Sequence, residues 1–138
     1  MPAKVSFDRL LARVRAICLA LPDTKETPTW GSPHFRVGEK IFAGCGEGDG
    51  QATLGCKLEM GHAAARVASD PRFTKAPYVG HKGWISLDLR AVTDWDEVSA
   101  LILESYRLIA PKRTVAKLDA ELAAAIPASL RKRPARKP

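Results

Sequence analysis

The sequence predicts an α+β domain, an antiparallel sheet with helices packed on one face, in the order αβββαββαα. Three observations lead there. Apolar residues recur at three- and four-residue steps near both ends of the chain. They alternate in period two between those regions. Short glycine-bearing turns separate the alternating runs. The 138 residues are the length of one domain. We assign it to residues 1–126, with 127–138 a disordered basic tail.

Residues 6–21 read as a helix, with Phe7, Leu10, Leu11, Val14, Cys18 and Leu21 on one stripe and Ser6 as N-cap. Pro22 ends it. Residues 22–33 read as a loop, with prolines at 22, 28 and 33. Phe35, Val37, Ile41, Ala43 and Cys45 share one sheet face if Gly38-Glu39-Lys40 is a three-residue turn. The next strand puts Ala52, Leu54, Cys56 and Leu58 on that face, with Ile41 opposite Cys56 and Ala43 opposite Leu54 across the turn Glu47–Gly50. That register keeps Cys45 and Cys56 too far apart for a disulfide.

A short helix follows at 61–69, apolar at Ala64, Val67 and Ala68, and Asp70-Pro71 stops it. A second hairpin has Tyr78-Val79 and Trp84–Leu89 flanking Gly80-His81-Lys82-Gly83. The strongest helix is 95–109, with Trp95, Val98, Leu101, Ile102 and Ile109 buried and a capping box of Asp94 and Glu97. A last helix at about 114–126 carries Val115, Leu118, Leu122 and Ile126.

Composition narrows the function. With 46% hydrophobic and 27% charged residues, the chain is neither collagen-like nor broadly disordered. Charges and prolines break every apolar stretch, so no transmembrane helix is expected. Asp8, Arg9, Arg13 and Arg15 interrupt the apolar block of a secretory signal. Three cysteines without a CxxC read as buried, reduced thiols of a cytoplasmic protein. The net charge of +7 suggests a polyanionic partner. Five of those charges lie within residues 131–138, and subtracting them leaves +2 for residues 1–130.

Several segments together resemble a known family. They are Trp30–Gly38 leading into Lys40–Ala43, then Asp70–Phe73, Ala76–His81, Gly83–Leu89 and Ser105–Lys112. In this order and spacing they resemble the MmcQ/YjbR-like family of small bacterial proteins, over about residues 7–113. The resemblance implies a frataxin-like α+β arrangement and DNA binding through a "double wing" of two hairpin loops. It supplies no catalytic residues.

The residues themselves offer several contacts for nucleic acid. Lys82 at the second tip, beside His81 and Trp84, suits a phosphate, and the glycines let backbone approach closely. A plain solvated hairpin is the alternative. Lys40 belongs to the first tip, Gly38-Glu39-Lys40, which Glu39 weakens. Arg36, Phe42, Thr53 and Lys57 face away from the helices, where an aromatic between cations suits a base. Alternatively Phe42 packs beneath Trp30 or the 22–33 loop. Lys112 and Arg113 follow the long helix, where its dipole favours cations without any ligand. Arg131, Lys132 and Arg133 in the tail would bind a polyanion without specificity.

Enzymatic signatures are missing from the sequence. His34, His62 and His81 are isolated, and Gly44–Gly50 lacks the Lys-Ser/Thr and helix of a phosphate loop. The expectation is a non-catalytic DNA-binding protein with no cofactor or metal and weak sequence preference. The alternative is a protein-interaction or small-ligand module using the exposed sheet face, with Trp30, His34, Phe42 and Trp84 lining a patch.

Overall fold

A computed structural model describes residues 5–29, 31–48, 50–76 and 79–125. The chain runs α1 (Phe7–Leu19), β1 (Thr24–Thr29), β2 (Ser32–Val37), β3 (Lys40–Gly48), β4 (Gln51–Lys57), α2 (Met60–Ser69), β5 (Phe73–Lys75), β6 (Trp84–Asp88), α3 (Trp95–Ile109) and α4 (Lys112–Ala125). Short 3-10 turns at Gly80–Lys82 and Leu89–Ala91 bracket β6. All strands pair antiparallel in one sheet, in the order β1-β2-β3-β4-β6-β5. The α+β class is therefore as expected, with one more strand than the sequence suggested.

That strand is β1, inside the segment 22–33 read as a loop. Its sequence, Thr-Lys-Glu-Thr-Pro-Thr, has no apolar face to reveal it. It is an edge strand, so Pro28 removes no ladder bond that a neighbour needs. Arg15 of α1 grips Glu26 of β1 through two hydrogen bonds, Nε to Oε1 at 2.5 Å and Nη2 to Oε2 at 2.9 Å.

The β2–β3 turn has two residues, not three: Val37 lies opposite Lys40. Phe35, Val37, Ala43 and Cys45 are still kept on one face, by a bulge, but Ile41 is not. Arg36 faces Ile41 and Phe35 faces Ala43, which leaves Phe42 as the extra residue. The bulge turns Phe42 into the core and Ile41 outwards, reversing their expected places. The β3–β4 turn is also tight, with Gly48 opposite Gln51. Ala43 therefore faces Cys56 and Cys45 faces Leu54, two positions from the expected register. Cys18, Cys45 and Cys56 are free and buried. Burial pushes the thiols of Cys45 and Cys56 up to about 12, which keeps them protonated and unreactive.

The core forms where α1 and α3 cross the sheet. Leu10, Leu11, Val14 and Cys18 meet Val98, Leu101, Ile102 and Tyr106 over the buried face of β2, β3, β4 and β6. Trp95 and Ile109 are only partly buried. Three expectations change around this core. In α2 it is Ala63 that is buried, while Ala64, Val67 and Ala68 face outwards. Where Tyr78-Val79 was expected to pair with β6, β5 does so; Val79 lies outside that strand and Tyr78 outside the described residues. In α4, Thr114 and Leu118 are buried and Leu122 is exposed, while Ile126 lies outside the described residues.

Asp94 caps α3 as expected, accepting from Asp96 N, but Glu97 does not complete a capping box. Its carboxylate instead takes Arg72 at 2.8 and 2.9 Å and Arg66 at 3.1 Å, and Arg72 also holds Asp70 at 2.7 Å. This cluster ties α2 and the start of β5 to α3. The Arg72 hydrogen bond holds Asp70 down at about 2 and also lowers Glu97. Both carboxyls bind protons less readily folded than unfolded, so their contribution is full above the unfolded range and lost as pH falls through the folded values. The thermal midpoint is expected to fall between roughly pH 4 and pH 2, and Glu97→Gln to flatten that fall. An unchanged slope in the variant would remove the cluster as its cause.

Candidate nucleic-acid interface

Strand direction decides which residues meet. The β2–β3 turn, the exit of β4 and the 3-10 turn that enters β6 all lie at one end of the sheet. The end of α3 arrives there too, since Leu108 and Lys82 line one hollow with Lys57, Leu58 and Met60. So Arg36, Lys40, His81, Lys82, Trp84, Lys112 and Arg113, from three separate stretches of the sequence, gather at one end of the molecule. Two strand spacings, roughly 10 Å, separate β3 from β6, and so the two tips.

Arg36 is fixed in place. Its Nε donates to Thr27 Oγ1 at 3.0 Å and its Nη1 to the Glu39 carbonyl at 2.6 Å. Lys40, His81, Lys82, Lys112 and Arg113 are exposed. Lys112 and Arg113 open α4, so its dipole opposes them; the helix-end explanation for these cations fails. Three other cations nearby are neutralised: Arg107 by Asp119 at 2.8 Å, Lys117 by Asp23 at 3.1 Å, Lys25 by Glu39 at 3.7 Å; Lys75, beside Gly80, is not in an ion pair among the described residues. Among the described residues, Arg36, Lys40, Lys57, Lys82, Lys112 and Arg113 have no ion pair. Lys57 is the member that residue-by-residue reading left out of the tip set. Its signal was its place at the end of the alternating strand. Arg131, Lys132 and Arg133 lie outside the described residues.

The open sheet face differs from expectation. Phe42 is not on it. It is buried, and its ring packs edge-on against Tyr106 of α3, centroids 5.4 Å apart. Trp30 lies outside the described residues. His34, Gly44, Gly55 and Ser86 form one row across four strands. They line a shallow trough of about 440 Å³, with Ile41, Val79 and Trp84 at its sides. The His34 ring lies so close over Gly44 that a Cβ there would sit 2.6 Å from its Cδ2. His34 Nδ1 is 2.9 Å from the Ser32 carbonyl. The carbonyl can only accept, so that bond places a proton on Nδ1.

The antiparallel sheet with helices across it is a fold shared with solved bacterial structures. A Deinococcus radiodurans protein with the DUF419 domain matches with a TM-score of 0.65 and 20% identity, over 79% of this chain and 87% of its own. A Pseudomonas syringae protein matches with a TM-score of 0.59 and 18% identity, over 75% and 98%. The YjbR family model matches residues 19–108, more than half of the chain, and the chain belongs to the YjbR family. No curated protein matches it. Among the described residues, no helix is long and apolar enough to cross a membrane.

Proposed function

We propose that the protein is a non-catalytic DNA-binding protein that grips the phosphate backbone through its hairpin loops, with the basic tail adding affinity. The supporting observation is the gathering of Arg36, Lys40, Lys57, Lys82, Lys112 and Arg113 at one end of the sheet without carboxylate partners. Phosphates would supply the missing counter-charges, and the exposed tips can reach them. α1 and α3 spend their apolar faces on the core, and the contact proposed here is with phosphates rather than with base edges. Weak sequence preference follows. The buried free thiols suit a reducing, cytoplasmic setting.

Binding of duplex DNA across a salt series, by the full chain and by a chain ending at Ile126, tests this. The shortened chain is expected to keep a salt-dependent affinity, and Lys82→Ala to lower its logarithmic slope by about one. If shortening abolishes binding, the sheet end is not the contact. If neither chain binds, the reading fails.

A second reading uses the trough. His34 covers Gly44, but Gly55 leaves the floor between His34 and Trp84 low enough for a flat group to approach the backbone, which suits a protein loop or small ligand. Under that reading His34→Ala abolishes binding of the partner and leaves any DNA affinity intact.

A further inference from the structure

A different hollow lies at the opposite end of the sheet from the hairpin tips. It is bounded by α1, the 3-10 turn Leu89–Ala91 and the start of α3, and it measures about 570 Å³. Its floor is apolar, made by Leu10, Leu89, Val92 and the Trp95 indole. Its polar lining is three arginines, Arg9, Arg13 and Arg90.

Each arginine is placed for an anion. Arg9 and Arg13 are one turn apart on the same face of α1. Arg13 lies over the Trp95 ring, 4.5 Å from its centroid. Arg90 is held by backbone carbonyls: its Nε donates to Gly50 at 3.1 Å and its Nη1 to Val5. Those acceptors are neutral, so its charge stays uncompensated and Nη2 faces no hydrogen-bond acceptor among the described residues. None of the three has an ion pair there. The neighbouring carboxylates Asp88 and Asp94 each accept a backbone N–H, from Arg90 and Asp96, both at 3.0 Å, and neither forms an ion pair with the three arginines among the described residues. Asp96 lines the adjoining hollow on the other side of Arg13 and Trp95.

An apolar floor beneath three uncompensated guanidinium groups asks for one kind of molecule. We propose that this hollow binds a small amphipathic anion, an apolar or aromatic body carrying a carboxylate or phosphate. The body covers Leu10, Val92 and the indole, and the head takes the arginine fork. The volume lies within the range of small-molecule sites, roughly 300–1,000 Å³. The site is independent of the DNA contact, which uses the other end of the sheet.

Calorimetric titration of the full chain with 2-naphthoate, 2-naphthyl phosphate and neutral 2-naphthamide tests the proposal, with amide-resonance mapping of the contacts. At least one anion is expected to bind about tenfold tighter than the amide, the worth of one charge-assisted hydrogen bond. Which anion is tighter distinguishes a carboxylate from a phosphate ligand. The double variant R9Q/R13Q is expected to shrink that advantage, with the thermal midpoint lowered by no more than about a few degrees, since both positions are exposed on α1 and only the Arg13 contact with Trp95 is given up. Its duplex-DNA affinity is expected to stay within about twofold. Equal binding of amide and anions, absence of anion binding, mapping to the His34–Trp84 trough, an unaffected double variant, or a matching loss of DNA affinity would each overturn the proposal.

Discussion

Replacing Ser105 by alanine is expected to lower the unfolding free energy by about 3 kcal/mol and the thermal midpoint by roughly 10 °C. Ser105 is in the middle of α3 and has no exposed surface. Its hydroxyl does not turn back on its own helix. It donates to the Phe42 carbonyl at 2.6 Å and accepts from Lys57 N at 2.8 Å. Phe42 is the extra residue of the β3 bulge, so the ladder leaves its backbone short of a partner. Lys57 is the last residue of β4. One hydroxyl therefore serves two backbone groups that the sheet does not pair, and it fastens α3 over the bulge. Alanine fits the space but leaves a buried donor and acceptor unpaired, each costing about 1–3 kcal/mol. Urea denaturation followed by circular dichroism reads the loss. Hydrogen exchange supplies a more local check, because the Lys57 amide should lose its protection before its β4 neighbours do. A loss under about 1 kcal/mol would mean that water enters and replaces the hydroxyl.

Ser105 also shows which parts of this fold are legible in sequence. α3 was found with its bounds because Asp94 caps it and its apolar residues repeat at helical spacing. β4 was found because Ala52, Leu54 and Cys56 alternate cleanly. A serine within the helical stripe carries no such signal, since its value depends on an unpaired carbonyl on another element. β1 was hidden because an edge strand with both faces partly solvated needs no alternation. β5 has three residues, too few to show a period. The Phe42 bulge was hidden because a three-residue turn and a two-residue turn with a bulge keep nearly the same residues together. For α2, the alanines leave both faces apolar, so the pattern could not tell Ala63 from Ala64. The candidate interface was half legible. Its residues announce themselves as cations beside glycine turns. Their assembly at one end follows only from strand order, which places β6 beside β4 and brings Lys82 to Lys57.

Gly83→Ala is expected to cost at least about 3 kcal/mol, against about 1–2 kcal/mol for Gly38→Ala, although both glycines sit at positive φ in the two tips. Gly38 has φ +61° and open space where a Cβ would stand, so alanine there meets only the left-handed penalty. Gly83 has φ +92° and is buried, and its Cβ would stand 2.3 Å from the Leu58 carbonyl oxygen. A backbone oxygen cannot rotate aside as a lysine tip would. Leu58 is also bound to the same residue, its N–H donating to the Gly83 carbonyl at 2.9 Å. To admit a methyl group, the second tip must move away from the end of β4 and break that bond. Lys82 is the residue before the hinge, so the displacement carries the proposed phosphate contact with it. The two variants therefore separate stability from function. Gly38→Ala should lower the midpoint slightly and leave DNA affinity within about twofold, whereas Gly83→Ala, measured well below its own midpoint, should lose about as much affinity as Lys82→Ala. Equal stability losses would show that Leu58 yields to the methyl. Unchanged DNA affinity in a destabilised Gly83→Ala would show that the second tip is not a contact, and would leave the open face of the sheet as the surface to pursue.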